Sequence, residues 1–243
     1  MTEDRTADAL PATWQRLLGL FGVVFAVLFV VGWFASGGDA PDYAAADQEW
    51  TTWAEDNKWR SRIGAFAMLL AGFAFLHFAG TIRSVLGSAE ITSRGSAQLA
   101  RTAFAGAIIG IAGMSIAIVI VASATSEGAD ADPVVTRAVA TASAGPFLVS
   151  AMGFAALLMA AGLLTLRTGV FARWTGFAAL IGALSFLIAF LTVIAGLSED
   201  SVFGFGFFPG VLALVIWSVA TSIARYRAVA ATAGELVATE TDA

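Results

Sequence analysis

The chain contains one histidine and no cysteine, so the chemistry its side chains can do is narrow from the outset. His77 lies inside the uncharged run from Ile63 to Ile82. An ionisable side chain at such a position raises a functional hypothesis by default, because an apolar surround penalises its charged form. Helical spacing brings Gly80, Thr81 and Ser84 towards the same face, a small and polar stripe suited to facing other helices. His77, Thr81 and Ser84 are therefore the candidate ligand-binding set, with His77 expected to point into a helical bundle. The competing reading is a neutral imidazole hydrogen-bonded to a hydroxyl or a backbone carbonyl, and both stay open. A single imidazole without thiols cannot build a multi-His or Cys metal site, and no Ser or His nucleophile motif accompanies it. No catalytic constellation and no cofactor motif are visible.

Carboxylates offer a second chemistry. Asp39, Asp42, Asp130, Asp132, Glu199 and Asp200 fall between apolar runs on one side, and hard divalent cations take oxygen ligands. Their convergence would make a metal-assisted membrane enzyme; solvated loop acids are the plainer account. In the first of these segments, 42–59, helical spacing puts Tyr43, Trp50 and Trp53 on one side and Glu55 opposite. That pattern predicts an amphipathic helix at a membrane interface, a depth that suits amphipathic rings. A lid over a ligand mouth is the sharper alternative.

The elements that must position these residues follow from where charge is absent. The chain has 243 residues, 58% hydrophobic and only 13% charged, and its mean hydropathy is +0.83. A bilayer core calls for about 20 apolar residues per helix, since no backbone polar group can stay unpaired in hydrocarbon. Six runs qualify, predicting spans near 15–37, 62–86, 101–124, 144–167, 172–197 and 205–226. The expected fold class is all-α, a polytopic six-helix membrane bundle forming one domain over 1–227, with a short cytoplasmic tail over 228–243. A net charge of −5 leaves no basic stripe for phosphate backbones, which argues against nucleic-acid binding. The segment Met1 to Pro11 carries Glu3, Asp4 and Asp8 beside Arg5, unlike a basic signal-peptide start, so the first run is expected to remain as an anchor.

Arginine sets the expected orientation, because cytoplasmic loops retain Lys and Arg. With both termini cytoplasmic, nine cations (Arg5, Arg16, Arg83, Arg94, Arg101, Arg167, Arg173, Arg225 and Arg227) fall inside against Lys58, Arg60, Arg62 and Arg137 outside. The cluster Lys58, Arg60 and Arg62 is the dissenting signal. Pro209 interrupts the sixth run, so that helix either begins there or bends there. Gly106, Gly110 and Gly113 form a small-residue face on the third run, and Gly153 with Ala156 and Ala160 forms another on the fourth. Internal helix packing is the expected use, homo-oligomerisation the lesser one. Gly-Ala-Asp segments after the first and third runs echo each other weakly, as three hairpins would.

The six-run plan, the Arg173-Trp174-Thr175-Gly176 opening of the fifth run and an almost lysine-free Ala/Gly/Arg composition resemble uncharacterised six-span integral membrane proteins of high-GC bacteria. The resemblance implies a multi-pass protein of the bacterial inner membrane and carries no functional residue. Three functions fit the residues. An accessory or scaffold protein would act through the bilayer and a membrane-protein partner or second copy. A carrier or binder would take a neutral or amphiphilic small molecule, since no mid-depth carboxylate supplies a proton relay. The acid-loop enzyme is the third.

Overall fold

The computed structural model describes residues 12–36, 40–42, 45–94, 97–125, 132–191, 194 and 202–241. Uninterrupted apolar sequence in which only helices satisfy the backbone locally should give helices, and the described elements are helices without a strand among them. They are α1 Ala12–Gly19, α2 Phe21–Ala35, α3 Asp47–Asp56, α4 Lys58–Arg94, α5 Gln98–Ala124, α6 Pro133–Thr141, α7 Ala144–Thr168, α8 Arg173–Phe190 and α9 Val202–Thr241. Five stretches are long and apolar enough to cross a membrane, namely α4, α5, α6 with α7, α8 and α9; α2 is apolar but only 15 residues long.

The first expected span is divided at Leu20 into α1 and α2, although Leu20 keeps near-helical angles of φ −84 and ψ −8. The fourth continues from a short helix, α6, through a turn at Ala142 and Ser143. Of the two alternatives for the last span, the start at Pro209 is corrected and the helix that passes through it stands. Helix α9 begins at Val202, seven residues before Pro209, and runs on through it. Proline removes one N–H and crowds the carbonyl four residues back, here that of Phe205. Both residues are exposed, so the interruption falls on the outward face, where the helix can yield without disturbing the core. The segment from 228, expected as a tail, is helical to Thr241.

Helices α2, α4, α5, α7, α8 and α9 close into a ring in chain order, each packed against its two neighbours. All neighbours are antiparallel. Gly22 faces Phe78 and Gly32 faces Met68 across α2 and α4, while Gly22 also faces Ser222 and Trp33 meets Phe208 where α9 closes the ring on α2. Apolar side chains gain little by leaving lipid for protein, so such a ring must hold by close contact. The tightest is between α5 and α7. A Cβ on Gly153 would strike the Gly110 backbone, and one on Gly106 would sit 2.6 Å from the Gly153 carbonyl. The face of Gly106, Gly110 and Gly113 is therefore covered by α7 within one chain. Phenylalanines fill the centre in series: Phe25 on Phe75 at 4.7 Å, Phe75 on Phe154 at 5.8 Å, Phe154 on Phe186 at 5.7 Å and Phe186 on Phe207 at 5.8 Å. That chain of rings ties α2, α4, α7, α8 and α9 together. The outside is apolar as well, with Phe66, Phe73, Phe177, Ile181 and Leu212 exposed around the ring.

One end of the ring carries a cap made of α3 and α6. Asp132 accepts a hydrogen bond from the Val134 N–H at 2.8 Å, with Pro133 next to it at the first helical position, so α6 has both ordinary signals of a helix start. Trp50 and Trp53 are buried with Ala54, Ala124 and Ala140, and the Trp50 indole donates to the Asp42 carbonyl at 3.1 Å. An Arg137–Asp47 ion pair of 2.9 Å closes the contact. The aromatic face of α3, expected to meet the membrane interface, is thus turned onto α6. The sequence expectation lacked a partner for that face because the second outer segment gave no clear helical pattern. Tyr43 lies outside the described residues.

Candidate functional site

The antiparallel ring collects the ends near Gly19, Arg83, Arg101, Arg167, Arg173 and Arg225 at the pole opposite the cap. There an open groove of about 650 Å³ lies between α4, the α7–α8 turn and α9. Helix α4 supplies a ladder of hydroxyls, Ser84, Ser88 and Thr92, four residues apart and so aligned on one face. The turn supplies Arg167 and Thr168, and α9 supplies Arg225. Gly169 makes this turn possible: its φ of +68 ends α7 in the left-handed conformation. Val85, Ala89 and Val170 give the groove apolar walls.

Each ladder hydroxyl donates to the carbonyl one turn back, Ser84 to Gly80 at 3.3 Å, Ser88 to Ser84 at 3.0 Å and Thr92 to Ser88 at 2.9 Å. Those carbonyls already accept helical N–H bonds, so a hydroxyl can turn to a ligand without leaving an orphan. The arginines are the strong donors. Among the described residues no carboxylate lines the groove, and the Arg225 Nε is buried without an acceptor. The nearest acid along α4, Glu90, is already committed: it is 1% exposed, and its two oxygens accept the Leu99 and Ala100 N–H groups at 3.0 and 2.9 Å, capping α5. An arrangement with two guanidinium groups and no counter-charge is suited to an anion, with phosphate and carboxylate the planar fork's usual partners.

The expected ligand set is separated by the structure. Ser84 lines the groove. His77 does not point into the bundle as expected; it is exposed on the outer face of α4, and the Cβ position of Gly80 one turn on meets open space. The sequence stripe was polar and small, but the inner face of α4 is taken by Ala71, Ala74, Phe75, Phe78 and Ile82. The imidazole lies between Phe21, 5.0 Å away, and Phe73, 4.5 Å away. Its Nδ1 is 3.0 Å from the Phe73 carbonyl, which can only accept, so the proton belongs on Nδ1. Thr81 donates to the His77 carbonyl at 3.1 Å. His77 thus has the backbone partner of the plainer reading.

Of the six loop acids, Asp39, Asp130, Glu199 and Asp200 lie outside the described residues. Asp132 caps α6, and among the described residues no three His, Cys, Asp or Glu side chains gather as a metal would require. Arg167 and Arg225 escaped the sequence reading because each looks like an ordinary cation beside a span end; the hydroxyl spacing of 84, 88 and 92 was the available signal. No protein-family model matches the chain, and no curated protein or solved structure does so either, so its reading rests on its own geometry.

Proposed function

We propose that this chain is a six-span protein of the cytoplasmic membrane of a bacterium, with both termini in the cytoplasm and the α3–α6 cap outside, acting as an accessory or scaffold protein that binds a membrane partner. The observation that carries this reading is the filled interior. The void between Phe75, Phe78 and Trp217 holds about 10 Å³, room for no more than one water, and the rings of the phenylalanine series around it are buried. A carrier needs a hydrated path or a mid-depth site, and the phenylalanine series occupies the place where either would run. What remains for function is the surface, where large apolar side chains face outward at every helix of the ring.

The test is extraction of a tagged chain in a mild detergent after crosslinking in cells. The expected result is a partner protein, or a second copy, recovered in fixed proportion and lost when Phe66 and Phe73 on the outer face of α4 are replaced by alanine. A chain that is solitary under every mild condition removes the reading. A second reading, binding of an amphiphile, is favoured by the arginine groove alone.

A further inference from the structure

We propose that the groove between the α4 hydroxyl ladder, the α7–α8 turn and α9 binds the phosphate group of an anionic amphiphile, with Arg167 and Arg225 as its donors. The inference rests on the bilayer placement proposed above, but not on the partner-binding role.

Four observations converge on it. Two guanidinium groups from different elements open onto one groove, and among the described residues no acid neutralises either. Four cations elsewhere are engaged: Arg60 donates to Asn57 and to the Phe34 carbonyl at 3.1 Å, Arg137 pairs with Asp47, and Arg62 and Arg83 lie over the rings of Trp59 and Phe104, whereas the Arg16 Nε is, like that of Arg225, buried without an acceptor. Next, the Arg225 Nε is buried with no acceptor, although its stem is held by α1, where a Cβ on Gly19 would stand 3.6 Å from the Arg225 Cγ. The hydroxyl ladder adds donors that can turn without leaving a carbonyl orphaned. Finally, the walls are aliphatic. Among the described residues no aromatic ring lines the groove, so a nucleobase has nothing there to stack on, whereas the methylenes beside a lipid phosphate meet Val85, Ala89 and Val170. The groove lies at the arginine-rich pole, where basic pockets between membrane helices meet anionic headgroups.

The protein in nanodiscs of phosphatidylcholine with a minor fraction of phosphatidylglycerol, followed by native mass spectrometry of the lipid retained on release, tests this directly. Wild type is expected to retain phosphatidylglycerol over phosphatidylcholine. The double variant Arg167→Gln with Arg225→Gln should weaken that retention by about tenfold or more, while Arg101→Gln at the same pole leaves it unchanged. Should the double variant not run as a single species, the exposed Arg167→Gln alone decides, with an expected loss of about fivefold. Equal retention of both lipids by wild type overturns the proposal, as does an equal loss in Arg101→Gln, which would reduce the effect to general surface charge. Competition with inorganic phosphate separates the sources: displacement shows that the phosphate group alone suffices, and resistance shows that the lipid body is needed. A chain that binds a protein partner yet shows no lipid preference loses this inference only; one that prefers phosphatidylglycerol but has no partner loses the scaffold reading only.

Discussion

Among single residues, Glu90 sets the clearest physical constraint. A carboxylate with 1% exposure is unfavourable unless its oxygens are satisfied, and here both accept from the second and third residues of α5. The positive end of the helix dipole adds to the stabilisation. Glu90→Ala should therefore cost about 1–2 kcal/mol in reversible unfolding in detergent, by loss of the cap and orphaning of two N–H groups. Glu90→Gln, which keeps one acceptor oxygen, should fall between. An alanine variant as stable as wild type would show that α5 starts without this cap. Sequence alone did not single out Glu90, since a loop glutamate eight residues before a helix carries no capping pattern; the two meet only because α4 extends to Arg94 and the chain turns back sharply. The opposite holds for Asp132, whose proline neighbour is an ordinary helix-start signal although the short segment around it has no clear helical pattern. His77 shows a third case. Its local spacing was legible, but which side of α4 faces inward depends on Phe25, Phe154 and Trp217 from other helices, and no periodicity within α4 reports that.

For the helices, contact distance decides stability more than side-chain chemistry. Helix α5 approaches α7 so closely that Gly153 lies against Gly106 and Gly110, and any added carbon must move a backbone. Gly145, on the same helix, has nothing within 4 Å of its Cβ position. One substitution at two places on α7 should then act in opposite directions. Gly153→Ala is expected to destabilise by about 1–3 kcal/mol through overpacking. Gly145→Ala should be neutral or stabilise by up to about 1 kcal/mol, because alanine is the better helix former. Thermal unfolding of both variants in one detergent reads the difference, and equal effects would mean that α5 and α7 are not packed as described. The small-residue pattern on the third and fourth runs was visible in the sequence, and so was the helical class, because charge-free length speaks for itself. The limits of the helices were less legible. Their ends at Leu20 and Ala142 fall inside apolar stretches, where hydropathy has no edge to mark, whereas Val202 closely follows Glu199 and Asp200 and was obscured only by Pro209.

Across the whole molecule, the antiparallel ring sorts the charged residues by pole, and this sharpens the question of orientation. The sequence offered nine cations against four, weakened by the cluster Lys58, Arg60 and Arg62 on the minority side. The structure gives two of those three local work. Arg60 donates to the Phe34 carbonyl at 3.1 Å, meeting the end of α2 where a cation is favoured, and Arg62 lies 5.4 Å from the Trp59 ring. Cations held by such contacts explain their own presence without reference to the cytoplasm, whereas Arg167 and Arg225 at the other pole have no such partner among the described residues. The majority count therefore gains weight, and the arginine pole should face the cytoplasm. The absence of native cysteine makes this directly measurable. Gln48→Cys on α3 and Ala172→Cys between α7 and α8 place single exposed thiols at opposite poles. In intact cells a membrane-impermeant maleimide should label the first and leave the second until the membrane is ruptured. The reverse pattern would invert the molecule and put the groove in the outer leaflet; labelling of both thiols in intact cells would mean that no bilayer separates the two poles of the ring.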